Sequence, residues 1–287
     1  MKNMMDVARF EASLLSNGIP PRPVVLEMIG SEIRKESPDL RILERAIATD
    51  VAISGGLIKM ANSPYFGPRK HVRSVLEALQ LLGLKITAQA VACLALRNAF
   101  PNLHLERFWD TSAKVAILSS WLVKSRGWLG LRNEDAYTLG LFRDCGIAII
   151  LQRMPSYTDT LRKANAETER PFTAVEEDVL PVAHTQVGAM MTQTWWLPEE
   201  ITEAIRHHHD LTAINGQSTM LSLSANAGAL IAVVHLAEHL FMTVTGLSTS
   251  CEWQKLGDAC LTRLQINPDE LAGLQQEAMA EGLFGPD

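Results

Sequence analysis

Phe142-Arg143-Asp144-Cys145-Gly146 sits in the middle of residues 133–153, a stretch that reads as one helix. Asn133 suits its N-cap, and Glu134 and Asp135 fall in the first turn, where negative charge meets the positive end of the aligned peptide dipoles. Working outward toward the N-terminus, residues 106–126 carry a second helical pattern. Toward the C-terminus helices are expected at 157–167, 173–179, 184–195, 199–208, 221–244, 251–264 and 268–280. No stretch alternates apolar and polar residues between hairpin turns, as a half-buried strand would. The spacing predicts an all-α fold.

The first hundred residues follow the same rule. Pro20-Pro21-Arg22-Pro23 sets the start of a helix whose apolar residues include Val24, Val25, Met28, Ile29 and Ile33, since proline is tolerated only in a first turn. Leu40, Leu43, Ile47 and Val51 recur at helical spacing, and Asp50 suits the N-cap of the next helix, with Ile53, Leu57, Ile58 and Met60. That helix must stop by Asn62-Ser63-Pro64, because a residue before proline disfavours the helical region. Ser74 and Glu77 form a capping-box pattern ahead of Ala78, Leu81 and Leu82. Gly83 breaks the run, and residues 86–100 read as a further helix. Pro101-Asn102-Leu103-His104 is the best boundary, dividing an N-terminal helical subdomain, 1–100, from a larger one, 101–287.

Composition narrows the class. Of the 287 residues 47% are hydrophobic, enough for a packed core, so general disorder is excluded. The net charge of −6 speaks against a nucleic-acid partner, which asks for a basic surface. Cys93, Cys145, Cys251 and Cys260 contain no Cys-x-x-Cys pair and read as free thiols on helix faces. Residues 1–20 lack the long apolar run of a secretory signal. Residues 225–240 are apolar but carry Asn226, His235, Glu238 and His239, so they read as a buried helix and not a membrane span. The expectation is a cytoplasmic protein with no membrane association.

Several words then point to one family. They are Ile19-Pro20-Pro21-Arg22-Pro23, Ala48-Thr49-Asp50-Val51-Ala52, and Leu57 through Gly67 with its Asn62-Ser63-Pro64-Tyr65-Phe66-Gly67 ending. Ser74-Val75-Leu76-Glu77-Ala78-Leu79-Gln80-Leu81-Leu82-Gly83 follows at a specific interval. Trp109 to Ala116, Gly140 to Gly146, His184 to Gly188, Trp196-Leu197-Pro198 and Ala204 to His209 extend the match over most of the chain. The chain resembles an HDOD domain, a bacterial signalling relative of the HD-type metal phosphohydrolases. The resemblance implies an N-terminal helical bundle, a C-terminal HD-like bundle and a regulatory role without demonstrated catalysis.

The resemblance also locates a pocket. Thr111 stands where an HD hydrolase would place its first histidine, and Arg143 stands at the histidine of the His-Asp doublet, with Asp144 as its aspartate. His184, His208 and His209 are retained, and Glu238 is similar to the closing aspartate. The sister group that cleaves cyclic di-GMP carries a Gly-Tyr-Pro word after its paired histidines; here Asn215-Gly216-Gln217 occupies that region. An arginine stays protonated and cannot donate a lone pair to a metal. With Thr111 and Arg143 both lost as ligands, the expectation is a vestigial pocket with no catalytic residue, no metal and no cofactor.

Other readings of these residues carry less. His207, His208 and His209 are turned about 100° apart if helical, so at most two can face one pocket. A helix C-terminus, where the dipole favours partial positive charge, accounts for them without any ligand. His235-Leu236-Ala237-Glu238-His239 matches the H-x-x-E-H peptidase word, but five residues are a cheap match and that class needs an α/β setting. Asp144 directly follows Arg143, so on one helix the two side chains would diverge; Arg143 is expected to pair with Glu238 or another acid across the bundle instead. Arg69, Lys70 and Arg73 form a basic loop cluster, and Trp195 with Trp196 could anchor an interface. The function expected is regulatory and non-enzymatic, by contact with a protein partner of a signalling pathway, with a homodimer left open. The alternative is a divergent metal-dependent phosphohydrolase of a nucleotide or cyclic dinucleotide.

Overall fold

The computed structural model describes residues 18–62, 71–100, 105–128, 130–216, 223–247 and 250–284. All regular structure among them is helical. The chain separates into two compact units, the smaller running from Pro20 to Pro101 and the larger taking in Asn102 onward together with the chain up to Ile19, so the smaller one does not begin at residue 1 as the sequence suggested.

The smaller unit contains α1 (Val24–Ile33), α2 (Leu40–Ala48), α3 (Val51–Ala61) and α4 (Val75–Asn98). The first three pack on α4. Leu26, Ile29, Leu43, Ile47, Ile53 and Leu57 are buried there, each pair set three or four residues apart so that one stripe of each helix faces inward. Val24 is solvent-exposed, so the buried stripe of α1 is narrower than the sequence pattern suggests, and Val51, also exposed, begins α3 and does not extend the stripe of α2. Asp50 caps α3 through the Ile53 amide at 3.0 Å, as its sequence position predicts. The Ser74 pattern is half realised. Ser74 accepts the Glu77 amide at 3.2 Å, but Glu77 reaches back to the Arg73 amide at 2.7 Å and not to that of Ser74. Gly83, at φ +72°, interrupts α4, a conformation that an L side chain resists.

Asn62 ends α3 and ties the chain together. Its side-chain amide donates to the carbonyls of Ile58 and Val72, and its oxygen accepts the Val72 amide. Residues 63–70, with Arg69 and Lys70 of the basic cluster, lie outside the described residues; Arg73 is exposed. Asn62→Ala removes these bonds together and should lower stability by about 1–3 kcal/mol in urea denaturation. A loss within about 0.5 kcal/mol, the range of an ordinary surface substitution, would contradict the role.

The larger unit contains α5 (Glu106–Arg126), α6 (Asn133–Phe142), α7 (Cys145–Arg153), α8 (Tyr157–Ala166) and α9 (Phe172–Glu177). It continues through α10 (His184–Thr194), α11 (Glu199–Arg206), α12 (Leu211–Asn215), α13 (Ala225–Thr245), α14 (Glu252–Leu264) and α15 (Pro268–Ala280). Helix α13 is long and apolar enough to cross a bilayer, but most of it is buried against α5, α6, α11 and α14. Asn133 is the first residue inside α6 and not its cap.

The single helix expected over 133–153 is two. Asp144, at φ −99° and ψ 8°, leaves the helical region and separates α6 from α7. A second departure follows Arg206. His207, at φ −118°, ends α11, so the three histidines lie on a turn and not on the helix.

Candidate functional site

Close helix approach builds the site. Gly146 on α7 has no room for a side chain: a Cβ there would stand 2.0 Å from the His184 carbonyl and 2.8 Å from the Gly188 amide. This contact seats the start of α7, and hence Asp144, against the start of α10, and hence His184. Cys145 is buried beside Gly188, and burial pushes its thiol well above the usual range.

Around that contact four donors converge. One ligand atom each from Asp144, His184, His208 and His209 lies within 4.8 Å of all the others. His184 Nε2 is 3.3 Å from His208 Nε2, and both are 3.6 Å from Asp144 Oδ1. The opposite nitrogen of each ring is tied outward. His184 Nδ1 donates to Glu176 at 2.8 Å, His208 Nδ1 to the Ile205 carbonyl at 2.7 Å, and His209 Nδ1 to Glu252 at 2.9 Å. Tyr157, fully buried, donates its hydroxyl to Glu176. Phe172 stacks on His209 with ring centroids 4.6 Å apart. The sequence counts Thr111 and Arg143 as lost ligands and expects no metal, yet the four side chains that remain form a convergent set.

Arg143 occupies the other side of Asp144. Its Nε lies 3.1 Å from Asp144 Oδ2, its Nη2 donates to Glu238 Oε1 at 2.8 Å, and its Nη1 to the Gly140 carbonyl at 2.8 Å. The pairing with Glu238 across the bundle is the one the sequence suggests. The pairing with Asp144 corrects the expected divergence: the chain leaves the helix at Asp144, so adjacent side chains can face each other. Thr111 on α5 is half-buried and makes no bond to this group among the described residues.

Electrostatics follow from burial and neighbours. Burial opposes the charge of Arg143, but Asp144 and Glu238 outweigh it and raise its pKa. Burial would raise Asp144; Arg143, with hydrogen bonds from His184 and His208, instead holds it well below the usual carboxylate range. His184 is pushed up to about 10: burial works against it, but Glu176 and Asp144 on either side win. His208 and His209 are pushed down, first by burial and then by neighbouring imidazoles. Without a metal, the His184 imidazolium and the Arg143 guanidinium flank Asp144 from its two sides.

The remaining sequence readings separate cleanly. His235 donates to the His208 carbonyl at 2.6 Å and His239 stacks on Trp253, while Glu238 belongs to Arg143, so the H-x-x-E-H residues do not converge. His207 turns away toward Glu203 and Asp210. Trp195 is buried edge-on against Phe142, at 6.2 Å between centroids, and is no surface anchor. Trp196, at φ +59°, turns away from it and is about half exposed. The sequence missed Glu176, Glu252 and Tyr157. No motif marks them, because each meets its partner only through the tertiary fold: Glu176 and Glu252 a histidine, Tyr157 the Glu176 carboxylate.

Such a pocket inside an all-helical bundle defines an HD-like domain. The HDOD domain model matches residues 19–211, and the chain belongs to that family. A protein of Treponema pallidum (strain Nichols), described as uncharacterized, is 28% identical over 197 residues, 67% of this chain. The match spans 38% of that longer relative. An HDOD domain protein of unknown function from Geobacter sulfurreducens shares the fold, with a TM-score of 0.65 and 19% identity over 96% of this chain and 94% of that one. A candidate phosphohydrolase of Shewanella amazonensis SB2B does so at 0.65 and 18%, over 95% and 96%.

Two substitutions test the construction. Gly146→Ala forces backbone apart at His184 and should cost at least the roughly 1–3 kcal/mol typical of overpacking, with a shift of the His184 ring signals in NMR. Unchanged stability and unchanged ring signals would refute the close-contact account. Arg143→Ala leaves two acids uncompensated and should cost about 3–5 kcal/mol. For a unit of this size the melting temperature should fall by roughly 6–20 °C. An unchanged melting temperature would show that the guanidinium does not balance them.

Proposed function

We propose that this protein is a non-catalytic regulatory protein of a cytoplasmic signalling pathway, acting by contact with a protein partner. Membership of the HDOD family supports a regulatory role. The observation that carries the non-catalytic part is Arg143. Two-metal hydrolysis needs a pair of cations flanking the attacking and leaving oxygens. Here a buried guanidinium sits between Asp144 and Glu238, 2.8 Å from the latter, on the side of Asp144 away from the imidazoles. A second cation at that place would meet a fixed positive charge at short range. The pocket then serves to hold α7, α10, α11 and α13 in one arrangement that a partner reads.

The deciding measurement is hydrolysis. Wild-type protein supplied with Mn2+ or anaerobic Fe2+ is expected to release no more product from cyclic dinucleotides or nucleoside monophosphates than Asp144→Asn does. Turnover that disappears in both Asp144→Asn and His208→Ala would overturn the proposal in favour of a phosphohydrolase.

A further inference from the structure

The four donors around Asp144 do more than fill a relic pocket. We infer that Asp144, His184, His208 and His209 form a site for a single divalent transition ion of the zinc–iron(II) class, with Arg143 built in as the permanent cation beside it. The inference rests on the regulatory reading only for what the ion does there, which is to fix the pocket and not to activate water.

Three observations carry it. The first is donor chemistry and spacing. Three imidazoles and one carboxylate suit zinc or iron(II) better than the oxygen-seeking calcium or magnesium. Ligands bonded at about 2.0–2.1 Å in a tetrahedron lie roughly 3.3 Å apart; the pairs among Asp144, His184 and His208 measure 3.3, 3.6 and 3.6 Å, and His209 keeps within 4.8 Å of all three.

The second is the outer layer. A metal-bound histidine needs its other nitrogen to donate elsewhere, which fixes both tautomer and ring direction. All three rings have that partner: Glu176 for His184, the Ile205 carbonyl for His208 and Glu252 for His209. Glu176 is in turn held by the Tyr157 hydroxyl, and Glu252 by Lys255 at 2.8 Å. A pocket that served only as packing would not need every imidazole oriented the same way, with its free nitrogen inward. Glu176 and Glu252 are thus positioning residues for the ion.

The third is the division of Asp144. Its Oδ1 faces the imidazoles and its Oδ2 faces Arg143. One carboxylate bridges two positive centres, of which one is covalently part of the chain. That arrangement limits the site to one ion. An open cavity of about 610 Å³ adjoins the site at His209, with Glu252 and Lys255 also in its wall.

The test uses the full chain, stripped with chelator and dialysed, then titrated with Zn2+ or with Fe2+ under anaerobic conditions. Elemental analysis should find one ion per chain, and loading should raise the melting temperature. Cobalt(II) loading should give the visible absorption of a nitrogen-and-oxygen site. Asp144→Asn should abolish the cobalt spectrum. Glu176→Gln, nearly the same shape and not itself a ligand, should weaken Zn2+ binding about 10–100-fold. Absence of a stoichiometric ion overturns the inference, as does a stoichiometry of two or unchanged affinity in Glu176→Gln. The regulatory reading fails on a different result, the appearance of hydrolysis, so the two can be lost separately.

Discussion

A carboxylate buried in a helical bundle must be neutralised, and the larger unit of this protein is organised around one such group. Asp144 faces a guanidinium on one side and two imidazoles on the other. Burial alone would cost several kcal/mol and drive the group to take a proton. The surrounding cations reverse that, and each is held by a further acid: Arg143 by the half-buried Glu238, His184 by the fully buried Glu176. Five helices and the turn after α11 meet because these charges cannot be left unpaired.

The geometry that allows the network is a break and a close contact. Had residues 133–153 formed one helix, Arg143 and Asp144 would point in different directions. The departure at Asp144 turns both into the same space. Gly146 then lets α7 approach the backbone of α10 within a distance that no other residue permits. The break aims the carboxylate and the glycine brings the histidine to it.

Arg143 stands where, by resemblance, the HD hydrolases carry a histidine, and the two side chains differ in chemistry. A guanidinium is permanently charged, planar and able to bind two acids at once. It satisfies Glu238 and Asp144 much as a cation would, but it cannot acidify water or exchange ligands. The proposed separation of regulation from hydrolysis rests on that difference.

Helix periodicity made the all-α class legible from the sequence, and the bounds of α5 and α15 in particular could be read directly. The pocket of Arg143, Asp144, His184, His208, His209 and Glu238 came from the resemblance to the HDOD family, and the pairing of Arg143 with an acid across the bundle from the charges that resemblance put together. The helix signals themselves are local. What the sequence did not reveal depends on contacts between distant segments. Asn133 as cap, the unbroken helix through Asp144 and Trp195 as a surface anchor were all reasonable by propensity, and tertiary packing decided otherwise. Glu176, Glu252 and Tyr157 could not be chosen from many similar residues, because nothing in their own neighbourhood marks them. Only the fold sets them 8 to 43 residues away along the chain yet within hydrogen-bond reach of the histidines or of one another. The sequence by itself determined which elements form and which side chains could carry charge into the core; the tertiary structure decided which of those charges meet, since pairing energy falls off within a few ångströms and only packing sets distances that short.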